Sequence, residues 1–589
     1  MKIRVTGAFL FNVLCTISYT CCGETVGKRP PHIVMIIADD MGSNDLSYRG
    51  LDQITTANLD AMGFNGIIFN RHYTEPICTP SRAALLTGQY PIRLGLQGEP
   101  ISAGEDRHLP PDVQTLPQLL KELGYTTHLV GKWHLGTARR EDIPKGRGFD
   151  THYGYWNGYI GYFDYETKSA MTITSEVYEG FDMKENFVDA WKDKGIYATH
   201  IFTEKALDII DAQNKDIPMF LMVGHLAVHT GKNGMVEVAD EKTMNNTYGY
   251  IADLERRRYV DALMNLDDSV GRIVEKLQQR DLLQNSVVIF MSDNGAQIRG
   301  IFHNGGSNYP LRGEKFSHHD GGIKNAALLY SPLLEKKNYI HDHLIHITDW
   351  LPTLYSLAGG NITSLKKTDG VDQWLSISQN KPSKRKNILI NIDEVKLYSG
   401  VIGYGGRYKL LNGTIQSGFY DSFTGEPQSS NKMDYDIAAI LNSRVNKAIK
   451  KSKVPGKHLD EALIRNLRKS SSAIRNNSKC NRGTEKYEIC HHFCLFDLWT
   501  DPCETENLIR QKSKDDIVLN LKNQLAEFWN EVSPQTNKPV DINSDPAKYN
   551  GTWCTWLDDE FCIKIKTNNQ NKNCNENNRS TSSIPVLKL

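Results

Sequence analysis

The sequence lacks an excess of charge of either sign, since 69 Lys and Arg face 69 Asp and Glu. Without such a field it has no global means of gripping nucleic acid or an anionic membrane, so neither is an expected partner. After its first two dozen residues it also lacks any apolar run of membrane-spanning length, and no membrane span is expected in the mature chain. Internal repeats are missing too. Cysteine is absent from the long stretch between Cys78 and Cys480. With 39% hydrophobic and 23% charged residues, the 589-residue chain is neither disordered nor polytopic, and its length suits one large domain plus a smaller one.

What is present begins with an address. Residues 1–23 open on Lys2 and Arg4, run apolar from Val5 to Ile17, and close on Ser18, Thr20 and Gly23. That is the three-part layout of a secretory signal peptide. Six N-x-Ser/Thr sequons, at Asn245, Asn361, Asn412, Asn476, Asn550 and Asn578, are glycosylation candidates. Loss of the signal removes Cys15, Cys21 and Cys22 and leaves eight cysteines, seven of them between Cys480 and Cys574. Those seven read as a disulfide cluster with one thiol over, formed in an oxidising compartment. The expected destination is the secretory pathway, lysosomal or secreted. Cys78 stands alone, far from the cluster, and calls for a chemical explanation.

Short apolar runs alternate with helical patterns over the first 380 or so residues. His32–Ala38, Thr127–Val130, Met219–Val223, Val287–Met291 and Ala326–Tyr330 read as buried strands. Gln114–Leu123, Thr203–Ala212 and Ile251–Leu283 carry helical spacing. This alternation predicts a layered α/β domain with a mostly parallel sheet, over 30–384. Beyond it, Asn387–Asp393, Leu397–Ile402 and Arg407–Leu411 are short strands joined by Gly-containing turns, which predicts a smaller antiparallel sheet within a C-terminal domain over 385–566. Residues 444–475 hold ten Lys or Arg against two acidic residues and read as a solvated insertion. Residues 567–589, rich in Asn and Ser, read as a disordered tail.

Polar residues follow the apolar strands where an open parallel sheet collects ligands. Asp39-Asp40 follows the first strand and Ser292-Asp293-Asn294-Gly295 ends the fourth; Gly131-Lys132-Trp133-His134 and the pair His225 and His229 follow two others. Asp39, Asp40, Asp293 and Asn294 are hard oxygen ligands, suited to Ca2+ or Mg2+. Taken singly, Asp-Asp also reads as a helix cap and Asp-Asn-Gly as a turn.

Cys78 stands in Cys78-Thr79-Pro80-Ser81-Arg82-Ala83-Ala84-Leu85-Leu86-Thr87-Gly88, and Gly131-Lys132-Trp133-His134-Leu135-Gly136 follows some fifty residues later. Together these resemble the sulfatase signature. Ala38-Asp39-Asp40-Met41-Gly42, Arg147-Gly148-Phe149-Asp150, Pro310-Leu311-Arg312-Gly313-Glu314-Lys315, Gly321-Gly322 and the late Asp501-Pro502-Cys503-Glu504 extend the resemblance from about residue 30 to 560. It is nearest to the arylsulfatase B type, the N-acetylgalactosamine-4-sulfatases. The resemblance implies an alkaline-phosphatase-like large domain with a mixed, mostly parallel sheet, and a smaller C-terminal α+β domain with a four-stranded antiparallel sheet. Ser43 and Ala296 depart from the residues common in that family, which bears on substrate choice and not on chemistry.

The resemblance implies hydrolysis of sulfate esters. Cys78 is oxidised to formylglycine by the formylglycine-generating enzyme, and hydrated to a diol. One hydroxyl attacks sulfur, and the second lets the enzyme expel sulfate without another attack there. Asp39, Asp40, Asp293 and Asn294 hold Ca2+, with the modified Cys78 completing the shell. Lys132, His134, His229 and Lys315 contact sulfate; His134 is the base, His229 the acid toward the leaving oxygen, and Arg82 steadies the side chain at 78. His229 is preferred to His225 because the family's histidine follows a valine. The substrate is a sulfated sugar, the 4-sulfate of N-acetylgalactosamine, or alternatively a small sulfated metabolite. Two other readings compete. A phosphatase of the same superfamily would carry Ser or Thr at the nucleophile and two zinc ions. A silent glycan-binding glycoprotein would have lost a ligand or the nucleophile, and none is lost.

Overall fold

The strand His32–Ala38 (β1) is buried along its whole length. Ile33, Met35 and Ile37 point into one apolar cluster, and Val34, Ile36 and Ala38 into another on the opposite face. A strand covered on both sides needs no polar alternation, which is why it reads as an unbroken apolar run. Around it lie Ile67–Phe69 (β2), Thr126–Gly131 (β3), Thr151–Gly154 (β4), Lys184–Glu185 (β5), Val188–Asp189 (β6), Met219–Gly224 (β7), Ser286–Ser292 (β8), Ala327–Tyr330 (β9) and Tyr339–His341 (β10). They form one ten-stranded sheet in the order β10-β2-β9-β8-β1-β7-β3-β4-β5-β6. β8, β1, β7 and β3 are parallel neighbours; β9 runs antiparallel to β8. This computed structural model describes residues 29–558 apart from 172, 426–433, 453–457, 478–479 and 481–486, and also Cys562. The expected signal peptide, the expected tail, Cys574 and the sequon at Asn578 lie outside the described residues.

Helices cover both faces. Ala57–Asn65 (α1), Ala198–Ala212 (α3) and Leu254–Gln279 (α4) pack on the Val34 side. Cys78–Thr87 (α2) and the helix Trp350–Leu357 pack on the other. α4 falls inside the broader stretch of helical spacing because Asp253 caps it, accepting from the backbone N–H groups of Glu255 and Arg256.

The C-terminal domain holds Ile388–Asp393 (β11), Tyr398–Gly403 (β12), Tyr408–Asn412 (β13) and Phe493–Asp497 (β14), antiparallel in that order. One face, with Leu389, Val401, Leu410 and Leu495, takes Leu521 and Leu525 of the helix Asp515–Trp529. The other, with Ile388, Ile390, Ile402 and Phe496, meets Tyr73, Ile323 and Leu344 of the large domain.

The basic stretch is not a free insertion. Arg444–Lys451 (α5) and Glu461–Ser471 (α6) bury Val445, Ala448, Ile449, Ile464 and Leu467 against the α1 and α4 side of the core. Arg444 pairs with Asp268 and Glu275, and Arg468 with Asp52. Net charge hid an apolar stripe at helical spacing. Six of the seven late cysteines pair, as Cys480–Cys503, Cys490–Cys494 and Cys554–Cys562, while Cys78 is free and buried. Among the sequons, Asn245, Asn361 and Asn550 are exposed, Asn412 is half-buried, and Asn476 closes the short turn Ala473–Asn476. No described helix is long and apolar enough to cross a membrane.

Candidate active site

Four parallel neighbours end on one edge of the sheet and deliver the polar residues together. Asp39 and Asp40 leave β1, Lys132 leaves β3, His225 and His229 follow β7, and Asp293 and Asn294 leave β8. Gly131 makes the exit of β3 possible: its φ is +96°, and a Cβ there would lie 2.0 Å from the Gly224 carbonyl oxygen. Cys78 is the first residue of α2, so the positive end of a ten-residue helix faces the same edge. Its Sγ lies 3.6 Å from Asp39 Oδ1 and 3.8 Å from Asp40 Oδ1. Asp40 and His134 both hold left-handed backbone, at φ 56° and 65°, which the surrounding packing must sustain.

The carboxylates are buried and paired. Lys132 Nζ donates to Asp39 Oδ2 at 2.7 Å and Lys315 Nζ to Asp40 Oδ2 at 2.8 Å. Burial works to raise both Asp39 and Asp40, but the ammonium groups of Lys132 and Lys315, with His229, hold both below the usual carboxylate range. Asp293 goes the other way, raised by burial and by repulsion from Asp39. Arg82, expected to steady position 78, donates through Nε and Nη2 to Asp293 Oδ2 at 3.1 and 2.9 Å. It braces a carboxylate.

This donor set fits a hard divalent cation. Asn294 Nδ2 is committed to Asp40 Oδ1 at 2.6 Å, which leaves Asn294 Oδ1 buried without a partner. Three carboxylates are matched by three cationic side chains, Lys132, Lys315 and Arg82. A bound Ca2+ would therefore leave the pocket net positive, the complement of an anionic ligand. Burial pushes the Cys78 thiol up to about 12, against the pull of Lys132 and Lys315. An unmodified Cys78 is thus a neutral thiol beside two carboxylates and a poor nucleophile, whereas hydroxyl donors suit that environment.

The two site histidines have defined tautomers. His134 Nε2 lies 2.9 Å from the Ile101 carbonyl oxygen, which only accepts, so Nε2 carries the proton. His134 Nδ1 is buried, unpartnered and free to take a proton, and burial, with Lys132, keeps the ring neutral. His229 Nδ1 donates to the Thr230 carbonyl at 2.7 Å, and Nε2 faces Asp40 Oδ2 at 3.5 Å. His225 is elsewhere: it is buried against α4 with Nε2 3.1 Å from Ser269 Oγ.

Several supports carried no signal in the sequence pattern. Thr79 Oγ1 donates to the His134 carbonyl and accepts from Ile101 N–H, both at 3.1 Å, which fixes the partner of His134. Asn304 Nδ2 bridges the carbonyls of Asp40 and Val228. Asp45 holds Arg256 and the backbone N–H groups of Gly42 and Ser307. Ala296 and Ser43, the two departures noted above, are both buried against Asn308.

Residues 31–360 match the family model described as Sulfatase. Arylsulfatase J of Mus musculus is 34% identical over 541 residues, 91% of this chain and 82% of that protein. N-acetylgalactosamine-6-sulfatase of Homo sapiens is 32% identical over 372 residues, 61% of this chain and 68% of that protein. Among solved structures, Ps i-CgsB in complex with k-i-k-neocarrahexaose superposes with a TM-score of 0.65 at 21% identity, covering 87% of this chain and 96% of that one. PsFucS1 sulfatase from Pseudoalteromonas sp. gives 0.60 at 19%, covering 87% and 92%. At such identities these structures speak for the fold alone.

Proposed function

The chain belongs to the sulfatase family, whose members hydrolyse sulfate esters, and from that premise we propose that it releases sulfate from sulfated N-acetylgalactosamine, at the 4-position, through a formylglycine formed at Cys78. The observation that carries the chemistry is Cys78 at the head of α2, 3.6 and 3.8 Å from two carboxylates that are themselves held by Lys132 and Lys315. Asp39, Asp40, Asp293 and Asn294 would hold Ca2+, which when bound supplies Lewis acidity at the sulfuryl oxygens. Formylglycine supplies, in its hydrated form, the attacking hydroxyl and the second hydroxyl needed for release.

The chain's own residues do the rest. Lys132 and Lys315, both buried, orient the ester and stabilise charge on the transferred oxygens. His134 accepts a proton at Nδ1, its only free nitrogen. His229 Nε2 hands a proton to the leaving oxygen; that step needs the imidazolium, which burial opposes and Asp40 favours. The neighbourhood of α2 excludes water, since Cys78, Lys132 and Asp293 are all buried.

Two sulfate positions compete. Motif resemblance favours the 4-sulfate; the 32% identity to a 6-sulfatase favours the 6-sulfate. A small sulfated metabolite is the alternative to either sugar. Three disulfides and the N-terminal layout support passage through the secretory pathway, where the formylglycine-generating enzyme would be the maturation partner. The test is sulfate release from oligosaccharides ending in 4- or 6-sulfated N-acetylgalactosamine and from a small aryl sulfate, with Cys78→Ala as control. Turnover of the 4-sulfate that vanishes in the variant supports the reading. Turnover of the 6-sulfate alone moves the position, and turnover of the aryl ester alone removes the sugar.

A further inference from the structure

The residue that hands a proton to the leaving oxygen also marks where the leaving group lies. Whatever ring is attached to that oxygen must rest against the surface beside His229. That surface is aromatic. Tyr159 lies nearly parallel to the His229 ring, with centroids 5.8 Å apart and an interplanar angle of 11°. Phe302 lies 6.2 Å from His229 and 5.3 Å from Tyr159, tilted to both. Both are half-buried, so each keeps part of its surface open to solvent.

Phe302 is also held in place from both sides. Before it, Glu314 Oε2 accepts the backbone N–H groups of Ile298 and Arg299. After it, His303 bridges the Gly300 carbonyl and Glu255, and Asn304 Nδ2 ties the loop to the carbonyls of Asp40 and Val228. Gly300 and Gly305, at φ 84° and 78°, make the turns between these anchors. The loop that touches the proposed ligand loop at one end thus offers an aromatic ring at its tip, with Ile301 beside it 79% exposed. Tyr159 follows Gly158, where an added Cβ would meet the His134 ring at 2.9 Å. One short segment therefore packs against both site histidines.

We propose that Tyr159 and Phe302 form the specificity wall for the leaving group and stack against the apolar face of its ring. The inference rests on the sulfatase reading of this site and on His229 as the group nearest the leaving oxygen. A ring with a flat or C–H-rich face is the shared chemistry, met by a pyranose or an aryl group. Inorganic sulfate has no leaving group and does not reach the wall.

The test compares wild type with Phe302→Ala and Phe302→Tyr. Readouts are KM for a sugar 4-sulfate and for an aryl sulfate, and the inhibition constant of inorganic sulfate. The expected result is a KM about three- to ten-fold higher for ring-bearing esters in Phe302→Ala, restored in Phe302→Tyr, with the sulfate constant unmoved. A larger change for the sugar identifies a pyranose as occupant, and a larger change for the aryl ester identifies an aryl group. Unchanged KM for both esters overturns the wall while leaving the sulfatase reading intact. So does a parallel rise in the sulfate constant, which would mean a disturbed site. A wild-type protein carrying formylglycine that turns over no ester removes the underlying reading as well.

Discussion

Among the described residues, the cluster of buried charge at the strand ends and the one where the domains meet are built on different terms. At the joint, Lys409 of β13 sits among apolar residues with three acceptors for its three protons: the His318 carbonyl at 3.1 Å, Asp320 Oδ1 at 2.6 Å and Glu504 Oε1 at 2.9 Å. Glu504 Oε2 in turn accepts from Asp320 N–H at 2.7 Å, and His319 Nδ1 lies 3.0 Å from Oε1. What lacks a partner there is the far nitrogen of two neutral imidazoles, His318 and His319. The strand-end cluster crowds three carboxylates, leaves Asn294 Oδ1 without a donor, and leaves His134 Nδ1 with an open lone pair. A satisfied charge cluster fastens; an unsatisfied one is prepared for something that arrives later. The fastener serves the site, because Asp320 follows Lys315 by five residues and holds the end of its loop.

Substitutions can separate the two. Lys409→Met should cost most, about 3–5 kcal/mol, because Asp320 and Glu504 stay buried without their cation. Urea unfolding measures it, and a loss below about 1 kcal/mol would mean that the joint is not a fastener. Added Ca2+ should stabilise the wild type by about 4 kcal/mol at a thousand times its Kd, seen as a higher Tm reversed by a chelator. Asp293→Asn should cancel that shift and Lys409→Met should keep it; the opposite pattern would place the cation elsewhere.

Lys132→Met should lower kcat by about 10^2–10^3, or about 3–4 kcal/mol of transition-state stabilisation. Equal kcat in the variant would remove Lys132 from the site.

The joint also carries a pH dependence. Burial, with Arg312, holds His319 well below its ordinary value of 6.5. Its contribution is complete above pH 6.5 and is lost progressively as pH falls toward the folded-state value, because the unfolded chain then binds the proton and the folded one does not. At pH 5 this amounts to at most about 2 kcal/mol, and His319→Gln should flatten that part of the urea-midpoint profile. The smallest effect is expected from Thr79→Val, about 1 kcal/mol or a few-fold in kcat, since the carbonyl of His134 and the N–H of Ile101 lose one hydroxyl between them.

Much of this was legible before any fold was known. β1, β7 and β8 are buried on both faces, so their apolar runs stood out, and the residues that end them were visible as acids and amides. Cys78 stood out because its chemistry is local and no other cysteine comes near it in sequence. Lys409 did not: on a short strand it reads as the polar half of an alternation, yet both faces of that strand are buried. His225 and His229 were separable only by resemblance until α4 claimed one of them through Ser269. Residues 444–475 misled because composition counts charges and ignores on which side of a helix they fall.

The sequence by itself determined which short segments must be buried, where their polar ends lie, and which side chains carry reactive chemistry. These are properties of neighbours along the chain, set by periodicity and by each residue's own donors and acceptors. Tertiary structure alone decided which carboxylate meets which cation, what Arg82 holds, how six cysteines pair and which aromatic rings stand beside His229. Lys315 and Asp40 are 275 residues apart in sequence and 2.8 Å apart in space. Contacts of that kind depend on strand order and register across the whole sheet, which no local pattern encodes.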